Sequence, residues 1–539
     1  MLMDTTFITY IYLLLIIAFL VMIAQRIKIS YPIVLVIGGL LISILNIFPT
    51  VIIQPEIIFV IFLPPILYEA AWQTSWKDFW KWRRIIFSFA FLIVLFTSLL
   101  IAYVSSNIIP GFTLALGFLL GGIVSPPDAI SATSIMKEVN VPKRISAIIE
   151  GESLLNDASS IIVFRFALLA VATGSFSLQT ATINFFVVII MGALIGIAVA
   201  LVFYVVHRWL PTTPNIDTVL TFVAPYIMYI IAEKFHFSGV LAVVSGGLFL
   251  SNKRQITMSP LSRIQGTNIW SVIAFVLNGI IFMLIGLQLP LIIQQLGNIS
   301  LWDAIKYSLI IAFTLIVSRL VIAFGSTLFT MFISNFITTA DRRPGFKAPL
   351  ILGWAGMRGV ISLAAALSIP LYIDNNVPFP HRNLILFITF VVILITLVLQ
   401  GLTLPWVIRL ANLKETDYEL PEAEQGILLQ KTMTEGALKI IRQKYKARIK
   451  TNELLQALEQ RLENELALLG NTSSQENTDG MTNNKVAEYE AIRLEIITKQ
   501  REQLENFNKK AGVSEEVVKK YLLILDREEE RMKEQLKLL

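Results

Sequence analysis

The sequence predicts an all-α polytopic membrane protein with a cytosolic helical tail. Of its 539 residues, 55% are hydrophobic and only 15% are charged, and the mean hydropathy is +0.71. These values are typical of proteins whose helices are surrounded by lipid. Apolar stretches recur through residues 1–410, whereas residues 411–539 are rich in Glu, Lys and Leu. We therefore expect a transmembrane domain over 1–410 and a tail over 411–539. Because the chain has no cysteine, disulfides and thiolate metal sites are excluded.

The transmembrane domain is predicted from the length of its apolar stretches. A helix needs about 20 apolar residues to cross a bilayer, and by this measure we predict about 13 transmembrane helices. The ninth stretch is the shortest. The stretches cover residues 7–24, 31–49, 53–71, 85–107, 112–136, 142–171, 181–206, 216–232, 238–251, 267–294, 303–334, 348–372 and 383–409.

The basic residues between these stretches predict their orientation. Sixteen Lys and Arg lie in the odd-numbered connections and three in the even-numbered ones. Basic connections are retained in the cytoplasm, so we expect the N-terminus outside, the tail inside and a plasma-membrane location. The net positive charge belongs to this part of the chain, since residues 410–539 hold 21 basic and 24 acidic residues. A nucleic-acid partner is therefore not indicated.

Two of the predicted helices are interrupted by helix-breaking residues. The fifth contains Gly121–Asp128, with two adjacent prolines, and the twelfth contains Gly353–Gly359, with three glycines. Proline removes a backbone donor and frees carbonyl groups that something else must satisfy. Paired interruptions are typical of inverted repeats in transporters, and an offset of seven helices makes these two run in opposite directions. We therefore expect two inverted repeats with crossed broken helices. The opposite charges of Asp128 and Arg358 favour this over two ordinary kinks.

An acidic run lies inside the sixth apolar stretch, where no aqueous loop holds it. A charged side chain at the centre of a membrane helix costs about 2.5–3.5 kcal/mol. A chain retains such residues where they meet water, a cation or a proton, so ion transport is the first hypothesis. The run is Glu150-Gly151-Glu152-Ser153-Leu154-Leu155-Asn156-Asp157.

The spacing within this run predicts which side chains act together. Ser153 precedes Asp157 by four residues and lies on the same helix face, with Glu150 near that stripe. Glu152 is offset from Asp157 by about 140° on a helix and reaches it only through water. A carboxylate, a hydroxyl and the carbonyls freed in the fifth helix form an all-oxygen site, which suits a hard alkali cation.

Asp157 is the candidate exchange residue. A carboxylate shielded from water binds a proton more readily than one in water, so Asp157 would hold either a proton or a cation. Competition between a proton and a cation for one carboxylate is the least that coupled exchange requires. The alternative is a structural ion pair with an intramembrane arginine, for which Arg165, Arg319 and Arg358 are available.

The other polar residues at membrane depth are assigned supporting roles. We expect Glu69 and Arg319 to form a buried pair, which Asn156 bridges to Asp157. The alternative is that Glu69 reaches the cytoplasmic interface. Arg358 is expected to offset the helix dipoles where the broken helices cross.

Two further polar residues each have two interpretations. Asn278, in the middle of the tenth stretch, either supports the site or makes a helix–helix hydrogen bond. Arg165 lies eight residues beyond Asp157 and either faces the same cavity or points outward. The sequence leaves both alternatives open.

The tail is predicted to be helical. Leucines recur at helical spacing from 454 to 466, and a polar linker, residues 471–484, separates them from a second charged helical stretch. The tail contains no Gly-rich phosphate loop, so a nucleotide site is not indicated. We expect a cytosolic helical hairpin or a coiled-coil dimer contact, with free disorder as the alternative.

Five motifs of residues 1–410 resemble those of cation:proton antiporter family 1, the sodium/proton exchangers of the NhaP and NHE type. The Glu-Gly-Glu-Ser-Leu-Leu-Asn-Asp run is highly specific. The resemblance implies the sodium/proton antiporter fold of 13 helices, with a dimer domain and a mobile core domain, assembled as a homodimer in the lipid membrane. The motifs are Leu63–Glu69, Ser125–Asp128, Glu150–Asp157, Ser318-Arg319 and Gly356–Gly359.

The resemblance also implies which residues bind the ion. Asp157 matches the exchange carboxylate. Ser153, Glu152 and Asp128 match residues that help to coordinate the cation, Na⁺ in the first instance. Ser125 belongs to the same motif as Asp128 and is expected to support it.

Further roles and two departures follow from the resemblance. Asn156 matches the residue that joins the Glu69–Arg319 pair, and an Asn-Asp sequence implies electroneutral exchange of one cation per proton. Pro127 stands where relatives frequently carry Thr, so only its backbone carbonyl remains as a ligand. Asn278 stands where many relatives carry an acid, and this residue bears on regulation and ion preference.

The sequence therefore predicts a secondary-active antiporter that exchanges Na⁺, K⁺ or Li⁺ for protons by alternating access and serves cytosolic pH and sodium homeostasis. The transported ions are its only expected small-molecule partners, and no cofactor is expected. The alternatives are a cation channel, although no repeated carbonyl filter is present, and a K⁺-selective exchanger. An intramembrane enzyme is not indicated, because no His-Glu zinc motif or Ser/Lys dyad occurs at suitable depth.

Overall fold

The structure, a computed structural model, consists of two compact units, Met1–Glu415 and Thr416–Leu539. Residues 473–484 of the predicted polar linker and residues 46–49 and 53–57 of two apolar stretches lie outside the described residues. The residues that the structure describes are 2–45, 58–136, 139, 141–174, 178–297, 299–334, 345–373, 377–413, 422–449, 452–472, 492–504, 521–522, 524–530 and 532.

The first half of the first unit consists of helices and short connections in its described residues. The helix α3 starts with a π-helical turn at Ile58–Phe62, and α4 contains another at Phe89–Ile93. In chain order the helices are α1 (Leu2–Ile27), α2 (Tyr31–Ile44), α3 (Leu63–Gln73 after its π turn), α4 (Trp76–Ile108), α5 (Leu114–Val124), α6 (Ala129–Met136), α7 (Lys143–Thr173) and α8 (Leu178–Trp209).

The second half repeats this helical character and adds one small hairpin. Its strands β1 (Tyr372–Ile373) and β2 (Val377–Pro378) pair antiparallel. The helices are α9 (Pro214–Lys234), α10 (Gly239–Thr257), α11 (Pro260–Gln294), α12 (Leu301–Ile333), α13 (Lys347–Trp354), α14 (Val360–Leu367) and α15 (Arg382–Ala411).

The helices have the length and composition that a membrane requires. Eight segments of the described ranges are long and apolar enough to cross a bilayer, with α5 and α6 counted together as Leu114–Met136, and two shorter apolar helices, Ile11–Ile27 and Tyr31–Ile44, precede these. Every apolar stretch predicted from the sequence overlaps at least one helix of the described structure. The number of crossings, 13, and the inverted repeat stay predictions.

Small residues bring the helices near the breaks into close contact. A Cβ added at Gly117 of α5 would lie 2.7 Å from the Ala102 carbonyl oxygen of α4, and one at Gly121 would lie 2.7 Å from that of Ser98. In lipid, helices associate mainly through packing, so small residues that admit a neighbouring backbone are favoured at their contacts. These glycines place the end of α5 directly against α4.

Serine and threonine side chains determine where several helices begin. Thr213 accepts a hydrogen bond from the backbone of Ile216 at the start of α9, and Ser238 accepts one from Leu241 at the start of α10. Ser259 accepts one from Ser262 at the start of α11. Each side-chain oxygen satisfies one of the backbone donors that a helix leaves free at its first turn.

The two predicted interruptions are real breaks, and they meet. Residues 125–128 separate α5 from α6, and residues 355–359 separate α13 from α14. The backbone N–H of Asp128 donates to the carbonyl oxygen of Met357 at 2.7 Å. The backbone groups freed in one helix are thus partly satisfied by the other, which places the two half-helix pairs around one point.

The second unit is helical where it is described. Two long helices pack against each other, and a short helix connects them. The long helices are Glu422–Lys444 and Glu453–Thr472, and the short one is Lys446–Ile449. Arg442 links the two long helices, because its guanidinium binds Glu459 at 2.7 Å and also binds Glu463. This arrangement is a helical hairpin. Its coiled-coil pairing with a second chain stays a prediction.

Candidate functional site

A cavity of about 630 Å³ lies beside the meeting point of the broken helices. It receives residues from α1, α2, α3, the segment between α5 and α6, α7, α11 and α14. Seven of the residues predicted for the site line it, although they are spread over more than 200 positions of sequence. They are Glu69, Pro127, Asp128, Glu150, Ser153, Asp157 and Asn278.

The cavity extends toward one end of the helix bundle. Gln25 and Ser30, at the first connection, and Gln73 and Thr74, at the third, belong to its lining. The charge pattern of the sequence assigns both connections to the cytoplasm. The cavity therefore lies toward the end of the helices that carries the first and third connections.

Asp157 lies in the wall of the cavity and is only 6% exposed. Ser153, one helical turn earlier on α7, lines the same wall, as its spacing predicts, and its hydroxyl oxygen accepts the backbone N–H of Ala129 at 3.2 Å. Within the described chain, no basic side chain pairs with the Asp157 carboxylate. Arg319 pairs with Glu152 and Arg165 with Glu233, and Nε and Nη1 of Arg358 bind no described residue. The alternative of a structural ion pair at Asp157 is therefore not supported.

Asp128 caps α6 at the break. Its carboxylate accepts the backbone N–H of Ile130 at 3.1 Å and that of Ser131 at 3.4 Å, and the Ser131 hydroxyl donates to it at 2.7 Å. A carboxylate at this position also interacts favourably with the positive end of the helix dipole. Asp128 and Asp157 are close enough for their charges to interact, so the cavity concentrates negative charge.

Glu152 forms a buried ion pair with Arg319, and this overturns the predicted pair of Glu69 with Arg319. Nη1 and Nη2 of Arg319 donate to the two carboxylate oxygens at 2.7 and 2.9 Å, and Nε donates to the Leu352 carbonyl at 3.3 Å. Both side chains are at most 2% exposed. The offset of about 140° on α7 turns Glu152 away from the stripe of Asp157 and toward α12. There a guanidinium fork matches both oxygens of one carboxylate.

This pair removes Glu152 from the predicted set of cation ligands, since it is engaged by Arg319 and does not line the cavity. Glu69 takes a different place from the one predicted. It is partly buried, lines the cavity and accepts a hydrogen bond from Gln73, one turn later on α3. The sequence contained part of the signal, because the helical offset already separated Glu152 from the face of α7 that carries Asp157.

Asn156 does not bridge the ion pair to Asp157. It is fully buried, and neither its amide nitrogen nor its carbonyl oxygen has a hydrogen-bond partner among the described residues. Consecutive residues on a helix point about 100° apart, so Asn156 lies beside the cavity wall and not in it. The expected bridge is therefore wrong in this conformation.

Ser125 and Arg358 lie at the two breaks but outside the cavity lining. The Ser125 hydroxyl bonds that of Ser98 at 2.8 Å and donates to the Gly121 carbonyl at 2.5 Å, which fixes the end of α5 on α4. Arg358 is 1% exposed, and its backbone N–H donates to the Thr396 hydroxyl at 3.1 Å. The charges of Arg319 and Glu152 both act on its guanidinium.

Arg165 lies away from the cavity, whereas Ser362 lines it. Arg165 does not face the cavity; its guanidinium binds Glu233 at 2.6 Å, which resolves the alternative that the sequence left open. Ser362, on the first turn of α14, lines the cavity and was missed by the sequence reasoning. A signal for Ser362 existed in its position one turn beyond the glycine-rich break.

The sequence of the first unit matches the model of a known protein family. The family model described as "Sodium/hydrogen exchanger, transmembrane" matches residues 12–410. The chain belongs to this family. Sodium/hydrogen exchangers are transporters and not enzymes, so the predicted family, membrane class and transporter class are confirmed.

Individual sodium/hydrogen exchangers resemble the chain at moderate identity. The "Sodium, potassium, lithium and rubidium/H(+) antiporter" of Bacillus subtilis is 33% identical over 364 residues, which cover 65% of this chain and 53% of that protein. The chain thus spans about half the length of that relative. The "Low-affinity Na(+)/H(+) antiporter NhaS1" of Synechocystis is 33% identical over 71% of this chain and 69% of its own.

A solved structure confirms the fold. The sodium proton antiporter MjNhaP1 from Methanocaldococcus jannaschii superposes with a TM-score of 0.60 over 77% of this chain and 100% of its own, at 18% identity. At this identity the likeness concerns the fold alone. The predicted antiporter fold is therefore confirmed.

Proposed function

We propose that this protein exchanges a monovalent alkali cation for a proton, and that Asp157 is the carboxylate that binds either one. The observation that carries this proposal is the isolation of Asp157. It is buried, it lines a cavity that water can fill, and it pairs with neither Arg319 nor Arg165. An uncompensated carboxylate in a shielded site must be neutralised by a proton or a cation.

The other ligands near Asp157 suit a cation that is bound and then released. Ser153 supplies a hydroxyl oxygen, Pro127 a backbone carbonyl at the break, and Asp128 a second carboxylate already held by helix donors. In the described part of the chain, no group of three His, Asp or Glu side chains is arranged to hold a metal ion. Few protein ligands mean moderate affinity, as transport requires.

The charge inventory supports exchange of one cation per proton. Glu152 is neutralised by Arg319, and Asp128 is fixed by the first turn of α6. Asn156 carries no charge. We assign the change of occupant to Asp157 and not to Glu69 or Glu150, which line the same cavity, so each cycle moves one cation against one proton and no net charge.

The one-sided cavity supports alternating access. Residues of the first and third connections line it, whereas residues at the opposite end of α7 do not. Exchange is coupled when only a carrier with an occupied Asp157 changes the side to which the cavity opens. We assign this cycle to a homodimer in the plasma membrane, with the N-terminus of each chain outside. Its role is then the homeostasis of cytosolic pH and sodium.

The range of ions follows from the relatives and the site. One relative is named for sodium, potassium, lithium and rubidium and another for sodium alone. A carboxylate and neutral oxygens in a cavity of about 630 Å³ accept alkali cations that retain part of their water. We therefore assign Na⁺ as the primary substrate, with Li⁺ and K⁺ as further ones.

The decisive experiment removes the charge of Asp157. In proteoliposomes holding a proton gradient, cation addition should dequench a pH-sensitive dye with the unmodified protein and not with Asp157→Asn. The matched control is Asp303→Asn, since Asp303 is an exposed carboxylate at the start of α12. Exchange by Asp157→Asn at the unmodified rate contradicts the proposal.

The pH dependence tests whether proton and cation share one group. Protonation of Asp157 removes the free carboxylate, so the apparent KM for Na⁺ should rise as the pH falls. With one competing proton the rise reaches about tenfold per pH unit on the acidic limb. Initial rates at several Na⁺ concentrations across pH 6–9 measure the slope. A KM independent of pH, or a limiting slope of two, contradicts competition for a single carboxylate.

A further inference from the structure

Two residues that line the cavity each carry a buried side-chain oxygen. Asn278 on α11 is 6% exposed and Ser362 on α14 is 1% exposed, and both line the cavity. No group among the described residues forms a hydrogen bond to Oδ1 of Asn278 or to the hydroxyl oxygen of Ser362. Buried polar atoms without partners are rare in folded proteins, and each one calls for an explanation.

The positions of these two residues connect them to the ion site. Ser362 follows Gly359 by one helical turn, and a Cβ at Gly359 would lie 2.7 Å from Oδ2 of Asp128. The helices α11 and α14, which carry Asn278 and Ser362, pack against each other. Asn278 and Ser362 therefore lie on neighbouring helices that line the cavity, and the break before Ser362 passes close to the Asp128 carboxylate.

We propose that Asn278 and Ser362 bind the hydrated cation beside Asp128 and determine the discrimination among Li⁺, Na⁺ and K⁺. This inference rests on the proposed cation/proton exchange. The cavity has room for several water molecules, so the cation retains water that donates to the two oxygens. Selectivity among alkali ions follows from the number and field strength of the oxygens around the ion. Removal of one side-chain oxygen changes how the ion's water is held, and therefore the field around the ion, without changing the charge of the site.

The test compares the apparent KM for the three cations in variants that lose or keep the oxygen. We expect Asn278→Leu and Ser362→Ala to change the ratio of the Li⁺, Na⁺ and K⁺ values by about three- to tenfold, the range that corresponds to the loss of one hydrogen bond from a cation-bound water. Ser362→Thr keeps a hydroxyl and should restore the unmodified ratio. Because a ratio does not depend on the amount of folded protein, weak expression does not obscure it.

The control is Ser308→Ala, another fully buried serine, whose hydroxyl donates to the Ala304 carbonyl of its own helix at 2.7 Å. It should leave the ratio unchanged. If Asn278 is intolerant of Leu, Asn278→Gln keeps the amide and displaces its oxygen, and the same change in ratio is expected. Unmodified ratios in Ser362→Ala and in either Asn278 variant overturn the inference. If the unmodified protein exchanges no cation at all, the proposed function fails instead.

A second, independent observation concerns the opposite end of α7. Arg165 lies eight residues beyond Asp157, about 12 Å along the helix, and binds Glu233 of α9 at 2.6 Å. The other carboxylate oxygen of Glu233 accepts the backbone N–H of Gly239, the first residue of α10, at 3.1 Å. Glu233 is thus fixed to α10, and the ion pair ties the helix that carries Asp157 to that point.

The pair is placed away from the ion cavity. Neither residue lines the cavity of about 630 Å³; Arg165 instead lines a separate cavity of about 350 Å³, together with Leu168 of the same helix and Tyr372 of the β-hairpin. We infer that the Arg165–Glu233 pair is a latch that holds this end closed while the larger cavity is open at the other end. This inference also rests on alternating access.

The test measures access to the smaller cavity without measuring transport. Because the chain has no cysteine, Leu168→Cys supplies a single thiol whose labelling by a hydrophilic maleimide is followed in nanodiscs. Arg165→Gln should increase the labelling rate by up to about fivefold, the range for a partly exposed ion pair. Glu233→Gln, which keeps the acceptor for Gly239, should do the same.

A double-variant cycle separates a latch from a general loosening of the fold. When one partner is already Gln, replacing the second should add little. The control is Lys306→Gln, because Lys306 pairs with Asp303 within a single helix at 3.5 Å and so cannot join two helices. The latch is overturned if both single variants label at the unmodified rate, or if their effects are fully additive. A loss of exchange with unchanged labelling also counts against it.

Discussion

The two broken helices carry opposite charges, and the hydrogen bonding of the charged side chain differs between them. At the first break, three donors of α6 bind the Asp128 carboxylate. At the second, Nε and Nη1 of Arg358 have no partner among the described residues, although the guanidinium is 1% exposed. One charge is held by its own helix, whereas the other depends on the field of its surroundings. The two breaks therefore stabilise their charged residues by different interactions.

The neighbourhood of the second break explains how it tolerates this charge. The segment passes so close to Arg319 that Gly356 leaves no room for a Cβ there, and Arg319 is neutralised by both oxygens of Glu152. Glu152, Arg319 and Arg358 together form a buried group with one excess positive charge. Its field is suited to offset the negative charge of Asp128 and Asp157 across the meeting point of the breaks.

The largest loss of stability is expected when Arg319, the partner of Glu152, is replaced. Arg319→Met leaves the Glu152 carboxylate buried without a partner, so the free energy of unfolding should fall by about 3–5 kcal/mol. Denaturant titration of the purified protein in detergent measures it. Glu152→Gln in the Arg319→Met background should recover a large part of the loss, and a failure to recover would show that packing dominates.

The same substitution at the other arginine sharpens the comparison. Arg358 is buried as deeply as Arg319, but Arg358→Met leaves no carboxylate without its partner in the described chain. We expect it to lower the free energy of unfolding less than Arg319→Met does, by a margin of at least about 2 kcal/mol. It should nevertheless reduce the exchange rate, because the counter-charge to Asp128 and Asp157 is lost. Equal destabilisation by both variants, in the same denaturant titration, would reveal an unrecognised partner of Arg358.

The smallest effect is expected at the first break. Asp128→Ala removes the cap of α6 and should lower the free energy of unfolding by about 0.5–2 kcal/mol, whereas Asp128→Asn keeps a capping oxygen and should cost less. Both should weaken cation exchange, since both remove charge from the cavity. If Asp128→Asn destabilises as much as Asp128→Ala, the carboxylate acts through its charge and not through the cap.

The difference between prediction and structure follows one pattern. The Asp157–Ser153 stripe, the two breaks and the membrane class depend on spacing along one helix or on composition, and these were predicted. The Glu69–Arg319 pair and the Asn156 bridge depended on which face of α7 meets α3 and which meets α12. Spacing alone could not decide that, although the offset of Glu152 carried part of the answer.

The sequence by itself determined that this chain is helical and apolar, that two of its helices break, and that Ser153 and Asp157 lie on one face of α7. Helical periodicity and the cost of charge in lipid act locally, so they are readable along the chain. Only the tertiary structure decided which acid Arg319 neutralises, that Asn278 and Ser362 share a wall with Asp128, and that Arg165 ties α7 to α9. These contacts join residues more than 60 positions apart, and their partners are selected by the rotation and packing of whole helices.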